Sequence, residues 1–171
     1  MAGPNRPITH RTMVSYIDRT REFYAAQGYE RPYRWAHFDE VPFTPLPKPL
    51  PECRVTVITT AAPWRGEAPV DGVLRGDREV WSGSTADPPA RLDTAHLAWD
   101  RESTHTDDRE SFLPLAALAE LAGEGRVAGL APRFHGVPTD YSQRRTLEQD
   151  APEVLRRCRE DGADAALLVP L

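Results

Sequence analysis

Side chains able to do acid–base chemistry are concentrated in one stretch, HLAWDRESTHTDDRE, at residues 96–110. Its candidate catalytic residues are His96, Asp100 and His105. Imidazole and carboxylate groups together can transfer protons, orient a substrate or bind a borderline metal ion. The spacing matches no established zinc pattern, so we assign no metal ligands and favour proton transfer or substrate orientation. Taken singly, each of these residues fits best with an Asp-rich helix start and surface histidines.

Two further polar segments follow predicted strands. TTAAP offers the hydroxyl and main-chain N–H groups of Thr59 and Thr60, which can hold a carboxylate or a phosphate. RFHGVPTDYS offers His135 and Tyr141 as further candidates for substrate binding. A simple turn is the favoured interpretation of this histidine and the glycine that follows it.

Other common catalytic signatures are missing from the sequence. It has no G-x-G-x-x-G motif and no P-loop, so a nucleotide is not indicated, and it has no G-x-S-x-G elbow. The two cysteines, Cys53 and Cys158, have no C-x-x-C spacing and are predicted to be buried, inert thiols. Helical spacing places Cys158 on the same inner face as Val154. These residues indicate no cofactor for the chain itself.

Alternating strand-like and helix-like segments predict an α/β fold. The clearest strand is CRVTVITTA at residues 53–61, because an almost continuous β-branched run is typical of a central, buried strand. Further strands are predicted at 92–100, 126–132 and 165–169, a strand or hairpin piece at 72–81, and helices at 9–27, 113–125 and 147–161. We expect a three-layer sandwich of the flavodoxin or Rossmann type with a mainly parallel sheet. Ligands would then bind beyond the carboxyl ends of the strands.

The N-terminal part of the chain has a different character. We predict that residues 1–52 form a helix and a proline-rich extended arm, and that residues 53–171 form the α/β domain of a single-domain protein. The chain has 17 prolines, and many fall between Pro32 and Pro69, where they exclude a helix. An arm packed on the body is favoured over a proline-rich ligand for another protein.

Composition restricts the class of partner. The formal net charge is -5 and the basic residues form no stripe, which argues against nucleic acid or an anionic membrane as partner. No apolar run approaches the ~20 residues of a membrane span, and the N-terminus lacks the apolar core of a secretory signal. We therefore expect a cytoplasmic protein that acts on a small molecule.

Several segments, in their order along the chain, point to one family. They are YAAQGYERPYRW, PFTPLPKPLPECRVTVITTA, GDREVW, HLAWDRESTHTDDRESFLPLAALAELAGEGRVAGLAP and APEVLRRCREDGADAALLVP. The sequence resembles the selenoprotein B family of glycine, sarcosine and betaine reductases, which also includes the dithiol subunit of D-proline reductase. The likeness extends from about Tyr16 to Pro170 and is strongest at 53–61, 115–132 and the closing DGADAALLVP.

The resemblance implies reductive cleavage of a carbon–nitrogen bond in a small amino acid or its N-methylated relative. In this family thiols supply the electrons, and the attacking group is a selenocysteine or cysteine in a U-x-x-C or C-x-x-C arrangement. A selenol suits the reaction because it is ionised at neutral pH, whereas an ordinary thiol with a pKa of ~8.5 is mostly protonated. A partner subunit carries a pyruvoyl group in the better-known members, so other reductase subunits are the implied partners.

In that family the redox motif directly follows the strand that matches AALLVP. The printed sequence ends there, so the resemblance implies a fold that is incomplete at the C-terminus and a gene read only as far as a UGA selenocysteine codon. A UAA or UAG codon after codon 171 would contradict this hypothesis. The unfinished sheet edge also predicts self-association or pairing with another subunit.

This sequence departs from the family in its polar loops. His96 and Asp100 match the family's loop by position, His105 matches it less closely, and His135 matches its segment only weakly. The identity of the substrate therefore stays open. Two other functions remain: a non-catalytic binding or scaffold protein that holds a small anion with His96, Asp100 and the Thr59–Thr60 loop, and a metal-dependent hydrolase or lyase.

Overall fold

The computed structural model describes residues 18–29, 31, 39–41, 44–64, 79–97, 102–140 and 142–171. The chain divides into two units, Met1–Pro42 and Phe43–Leu171. In the first unit, residues 18–26 form helix α1, which ends in a turn at Gly28 with a φ of +85°. The prediction of a helix at 9–27 therefore agrees with the structure from residue 18 onward, and its earlier part lies outside the described residues.

The described residues of the second unit form seven short strands and three α-helices. Its strands are β1 (Arg54–Thr59), β2 (Ala62–Pro63), β3 (Trp81–Ser84), β4 (Leu92–Asp93), β5 (Gly129–Leu130), β6 (Arg133–Gly136) and β7 (Ala165–Val169). Its helices are α2 (Leu115–Gly123), α3 (Gln143–Arg145) and α4 (Ala151–Glu160), with a π-helical segment, Thr146–Asp150, between the last two. Short 3-10 turns cover Leu50–Glu52 and Arg109–Ser111. The predicted α/β class is therefore correct.

Strand β1 lies at the centre of a mostly parallel sheet, as its β-branched sequence predicts. On one side it pairs in parallel with β5 and β6, and on the other side it pairs in parallel with β7. Strand β3 adds to β6 in the antiparallel direction. The piece predicted at 72–81 contributes only Trp81 to β3, and residues 65–78 lie outside the described residues.

In place of the single strand predicted at 126–132, the structure has two shorter strands, and the second of them lies beyond residue 132. β5 covers only Gly129–Leu130, and the sheet resumes at β6 after an interruption at Ala131 and Pro132. The prediction of a turn at His135 is wrong: this residue lies inside β6, opposite Ile58 of β1. The strand forms here because β1 and β3 supply hydrogen-bonding partners on both of its sides.

The strand predicted at 92–100 is also largely wrong. Of its described residues, 92–97, only Leu92 and Asp93 form a strand, and they pair with β2 in a separate two-stranded sheet. The Asp93 carboxylate accepts a hydrogen bond of 2.8 Å from the Ala95 N–H group, and the Leu97 N–H group donates to the Thr94 carbonyl at 3.0 Å. This local turn ends the strand, because Asp side chains commonly replace a main-chain acceptor in such turns. Residues 98–101 lie outside the described residues.

Strand β7 has the predicted bounds, and much of its surface is exposed. Leu167 is 41% exposed and Leu168 is 67% exposed. Among the described residues, β7 pairs with β1 on one side only. It is therefore an edge strand rather than a buried one.

Alternate residues of β1 contribute to two different hydrophobic clusters. Val57 belongs to a cluster that contains Leu115 and Leu118 of α2, whereas Ile58 packs against a cluster that contains Val154 and Cys158 of α4. The shared inner face predicted for the last two residues is thus confirmed. Because successive side chains of a strand point to opposite faces, the two clusters contact opposite faces of β1.

Both long helices lie close to their predicted positions. Helix α2 falls within the predicted 113–125, and Gly125, with a φ of +70°, follows its end as the sequence indicates. The predicted helix at 147–161 begins earlier, at Gln143, because the Ser142 hydroxyl accepts a hydrogen bond of 3.3 Å from the Arg145 N–H group. Serine is a favoured residue at this position. No helix among the described residues has the length and apolar character needed to cross a bilayer.

Candidate functional site

The polar stretch that follows β4 encloses a cavity of about 310 Å³, here called the loop cavity. It is lined by Trp64, residues 90–95, Thr106, Asp107, Arg109 and Phe112. The hydroxyls of Thr94 and Thr106 lie 2.6 Å apart and join its two sides. The ends of two strands and a 3-10 turn therefore bring together side chains that are up to 48 positions apart, from Trp64 to Phe112.

Arg109 is held rigidly at the wall of the loop cavity. Its Nη1 atom donates to the Pro89 carbonyl at 2.9 Å, and its Nη2 atom donates to the Glu110 carboxylate at 3.3 Å. Its Nε atom is buried and donates to no described residue. Arg109 was not among the residues predicted from the sequence, although an arginine between two acidic residues was a recognisable feature of this stretch. The guanidinium thus has one fixed donor that lacks an acceptor.

Neither of the two histidines predicted to be catalytic lines this cavity. His96 is half-buried, and its buried Nδ1 atom has no hydrogen-bond partner among the described residues. His105 is 73% exposed, and its Nδ1 atom lies 3.6 Å from the Asp107 carboxylate. The residues next to these histidines in the sequence, Ala95 and Thr106, do line the cavity. Asp100 lies outside the described residues.

The two threonines predicted to hold an anion are already hydrogen-bonded to the main chain. Thr59 is 1% exposed, and its hydroxyl accepts a bond of 3.3 Å from the Ala61 N–H group. The Thr60 hydroxyl accepts a bond of 2.9 Å from the Leu171 N–H group. Each hydroxyl accepts in these bonds and keeps its own hydrogen, so it is burial that keeps an anion from Thr59, whereas Thr60 is only partly buried.

His135 lies on the other face of the sheet from Thr59, so the structure does not bring these two predicted residues together. It is opposite Ile58 in register, and successive side chains of β1 alternate between faces. His135 is fully buried, so direct contact with a substrate would require a movement of the elements that cover it. The other predicted substrate ligand in this segment, Tyr141, lies outside the described residues.

A chain of polar groups surrounds His135. Arg157 donates from Nη1 to the Ser82 hydroxyl at 2.9 Å, and that hydroxyl lies 2.9 Å from His135 Nδ1. Because the serine oxygen accepts from the arginine, its hydrogen is available for the histidine nitrogen. His135 Nε2 is buried without a hydrogen-bond partner among the described residues and lies 3.7 Å from the Asp161 carboxylate. Asp161 in turn accepts bonds of 2.8–3.0 Å from Arg133.

This network, although it contains a serine, a histidine and an aspartate, has the features of a structural element. The pKa of His135 lies below its ordinary value of 6.5 because burial disfavours the charged ring, an effect that the Asp161 carboxylate partly offsets. The Ser82 hydroxyl is held by Arg157, which leaves it poorly placed to act as a nucleophile. Sequence reasoning missed Ser82 and Asp161, since no local pattern joins residues on different strands and helices.

We expect the fold to weaken in mild acid because of His135. The unfolded chain takes up a proton at this residue below about pH 6.5, whereas the folded chain resists it. Stability is therefore fully present above that pH and is lost as pH falls towards the lowered pKa of the folded state. The urea midpoint should be lower at pH 5.5 than at pH 7.5.

The matched variant for this prediction is His135→Asn, which should show a smaller change between the two pH values. Burial raises the pKa of Asp150, and this acts in the opposite sense. Both proteins retain Asp150, so its effect cancels in the comparison. An unchanged pH dependence in the variant would contradict the role of His135.

Both cysteines are buried and free, as the sequence predicts. The Cys53 thiol lies 3.4 Å from the Lys48 carbonyl and 3.5 Å from the Pro49 carbonyl. Burial raises the pKa of Cys158 above its ordinary value. A raised pKa keeps the thiol protonated and unreactive at neutral pH.

A second cavity of about 460 Å³ lies between α4 and β7 and is lined mainly by apolar side chains. Cys158 and Asp150 are among its few polar groups. Asp150 is 4% exposed, and its Oδ2 atom has no hydrogen-bond partner among the described residues. No sequence pattern pointed to this carboxylate, because its burial depends on the π-helical segment that it ends.

The described residues contain no group of three His, Cys, Asp or Glu side chains arranged to hold a metal ion. Comparison of the chain with family models, curated proteins and solved structures found no match. The functional argument therefore depends on the residues and on their geometry.

Proposed function

We propose that the chain is a subunit of a selenoprotein B-type reductase that cleaves a carbon–nitrogen bond in a small amino acid or its N-methylated relative. In this reaction a dithiol gives up two electrons and two protons and becomes a disulfide. The carbon–nitrogen bond breaks, the carbon gains one hydrogen and the amine leaves with the other. The proposal retains the cytoplasmic location expected from the sequence.

One observation supports the proposal most. The three segments in which the family resemblance is strongest contribute β1, the α2–β5 unit and β7, which are neighbours in one sheet. The resemblance therefore covers one continuous structural unit rather than scattered pieces. We further propose that this unit is a three-layer, flavodoxin-like sandwich, since the clusters of α2 and α4 contact opposite faces of β1.

The proposal requires a reactive selenol or thiol other than the two cysteines described above. Cys53 and Cys158 are buried, so neither thiol is accessible to a substrate. We propose that a selenocysteine or cysteine pair is supplied by a partner polypeptide or by a longer form of this chain. A pyruvoyl group on a partner subunit belongs to the same proposal and would hold the substrate amine.

The edge of the sheet supports association with a further subunit or with a second copy of the chain. Leu167 and Leu168 are both more than two-fifths exposed on the edge strand β7. Exposed apolar edge strands readily pair with strands of another chain.

The proposed function predicts thiol-dependent release of an amine. The protein should be purified from its own cells together with its associated polypeptides, then incubated with dithiothreitol and glycine, sarcosine, betaine or D-proline. We expect the amine, or the ring-opened product of proline, in one-to-one ratio with oxidised dithiothreitol. The variants Cys53→Ser and Cys158→Ser should retain the activity, because both thiols are buried away from solvent.

Intact mass and selenium content should be measured on the same preparation. A selenium-bearing chain heavier than 19.1 kDa would support a redox residue carried by the native protein itself. Binding of these compounds without any turnover would instead favour the non-catalytic binding protein. Loss of activity in the Cys158→Ser variant with an intact fold would contradict the proposed source of the redox group.

A further inference from the structure

The cavity between α4 and β7, here called the α4–β7 cavity, is formed by four separate segments of the chain. Its lining includes Ile58 of β1, Val137 and Pro138 after β6, Val154 of α4 and Leu168 of β7. Its volume of about 460 Å³ lies within the range of pockets that bind small molecules. Because the wall comes from four segments, a ligand in this cavity would be surrounded on several sides.

The ionisable side chains of the lining disfavour a charged ligand. Burial raises the pKa of Asp150 and the pKa of the Cys158 thiol, so these surroundings favour the neutral form of both groups. The Asp164 carboxylate is already engaged, since it lies 2.9 Å from Lys48 Nζ and accepts a bond of 2.8 Å from the Arg54 N–H group. A charged ligand would lose its hydration here, whereas an uncharged apolar ligand has little hydration to lose.

Two large apolar side chains of the α4–β7 cavity remain in contact with water. Leu155 of α4 is 49% exposed and Leu168 of β7 is 67% exposed, and both line the cavity. Val154 and Cys158 belong to the same lining but are less than a tenth exposed. An apolar ligand in contact with the two leucines would remove apolar surface from water, which is the main source of affinity for such a ligand.

The volume sets the size of the ligand. A cavity of about 150 Å³ is enough to bind benzene, and the α4–β7 cavity is roughly three times as large. We propose that the α4–β7 cavity binds an uncharged, apolar small molecule of about 10 to 18 carbon atoms. This inference goes beyond the proposed function and does not depend on it, because no residue of this lining takes part in the proposed reductase chemistry.

The first test uses two fluorescent dyes with the same ring skeleton. N-phenyl-1-naphthylamine is uncharged, whereas 8-anilinonaphthalene-1-sulfonate carries a negative charge. The full chain should bind the uncharged dye in one-to-one ratio with a rise in fluorescence, and it should bind the sulfonate at least about 10-fold more weakly because a charge loses its hydration. Equal or tighter binding of the sulfonate would overturn the proposal.

A matched pair of variants on β7 tests the location of the site. Ala166 lies on the same face of the strand as Leu168 and lines the cavity, so Ala166→Trp should fill it and weaken binding of the uncharged dye by at least about 10-fold. The control Leu167→Trp adds the same ring system to the opposite face of the strand, outside this lining, and should bind the dye as the wild type does. Equal dye affinity in the two folded variants would reject the α4–β7 cavity as the site.

A measurement on the wild type keeps the test decisive if Ala166→Trp does not fold. Intermolecular NOEs should connect protons of the uncharged dye with the methyl groups of Val154 and Leu168, which both line the cavity. NOEs only to methyl groups outside this lining would overturn the proposal. A wild-type chain that sediments as a dimer and binds no dye would also overturn it, and would identify a second copy of the chain as the occupant.

Discussion

The Gly136→Ala substitution is expected to lower the free energy of unfolding by about 3 kcal/mol, at the upper end of the usual cost of overpacking a core. Gly136 is buried in β6 directly opposite Trp81 of β3, and a methyl group built on it would overlap the indole ring. The ring cannot move freely, because its Nε1 atom donates to the Ala61 carbonyl at 3.2 Å and it makes a T-shaped contact with the Phe134 ring at a centroid distance of 5.4 Å. The variant should unfold at a lower urea concentration.

A second glycine provides the matched control. Gly123 is the last residue of α2, and a methyl group added there meets no atom within 4 Å. The Gly123→Ala variant should be as stable as the wild type or more stable by up to about 1 kcal/mol, because alanine favours the helix. Combining Gly136→Ala with Trp81→Ala should cost less than the sum of the two single changes. Strict additivity would contradict a direct clash between the two residues.

The second large effect is expected from Asp161→Asn, which should cost about 2 kcal/mol of stability at pH 7.5. The Asp161 side chain is 7% exposed, accepts bonds from Arg133 and faces His135. Its replacement leaves the arginine without its buried counter-ion. The loss of stability should be smaller than for a fully buried ion pair, because the Arg133 side chain is 37% exposed and its charge is screened by water. Chemical denaturation of both proteins measures the difference.

The neighbouring acid tests whether burial causes the effect. Glu160 also contacts Arg133, at 3.4 Å, but its side chain is 50% exposed. The Glu160→Gln variant should lose less than about 0.5 kcal/mol, as is usual for exposed ion pairs. The Asp161→Asn variant should also lower the pKa of His135 further, because the carboxylate normally favours the charged ring. Equal losses from the two substitutions would show that burial of Asp161 is not the cause.

Interactions within a single segment made several elements predictable. The β-branched run of β1, the apolar run of β7 and the glycine after α2 were each recognisable from neighbouring residues. The strand at β6 was not recognisable, because its sequence RFHG has no alternation and becomes extended only through pairing with β1 and β3. The same reason explains the failed strand at 92–100, whose pairing partner β2 is only two residues long.

The candidate site was only partly predictable. The acidic, histidine-containing stretch contributes Thr106, Asp107 and Arg109 to the wall of a cavity, but neither His96 nor His105 lines it. Arg109 became prominent only once its Nε atom was found buried and without an acceptor among the described residues. Thr59 and His135 looked available in the sequence, but other parts of the chain bury both of them.

By itself, then, the sequence determined the α/β class, the central strand, the two long helices of the second unit and the burial of both thiols. These depend on periodicity, side-chain shape and helix-ending glycines, which are properties of neighbouring residues. Only the tertiary structure decided which histidine is buried and which arginines have a buried Nε donor without a hydrogen-bond partner among the described residues. Each of those outcomes depends on contacts between residues distant in the chain, such as Ser82 with His135 or Arg133 with Asp161. A local pattern carries no information about such contacts.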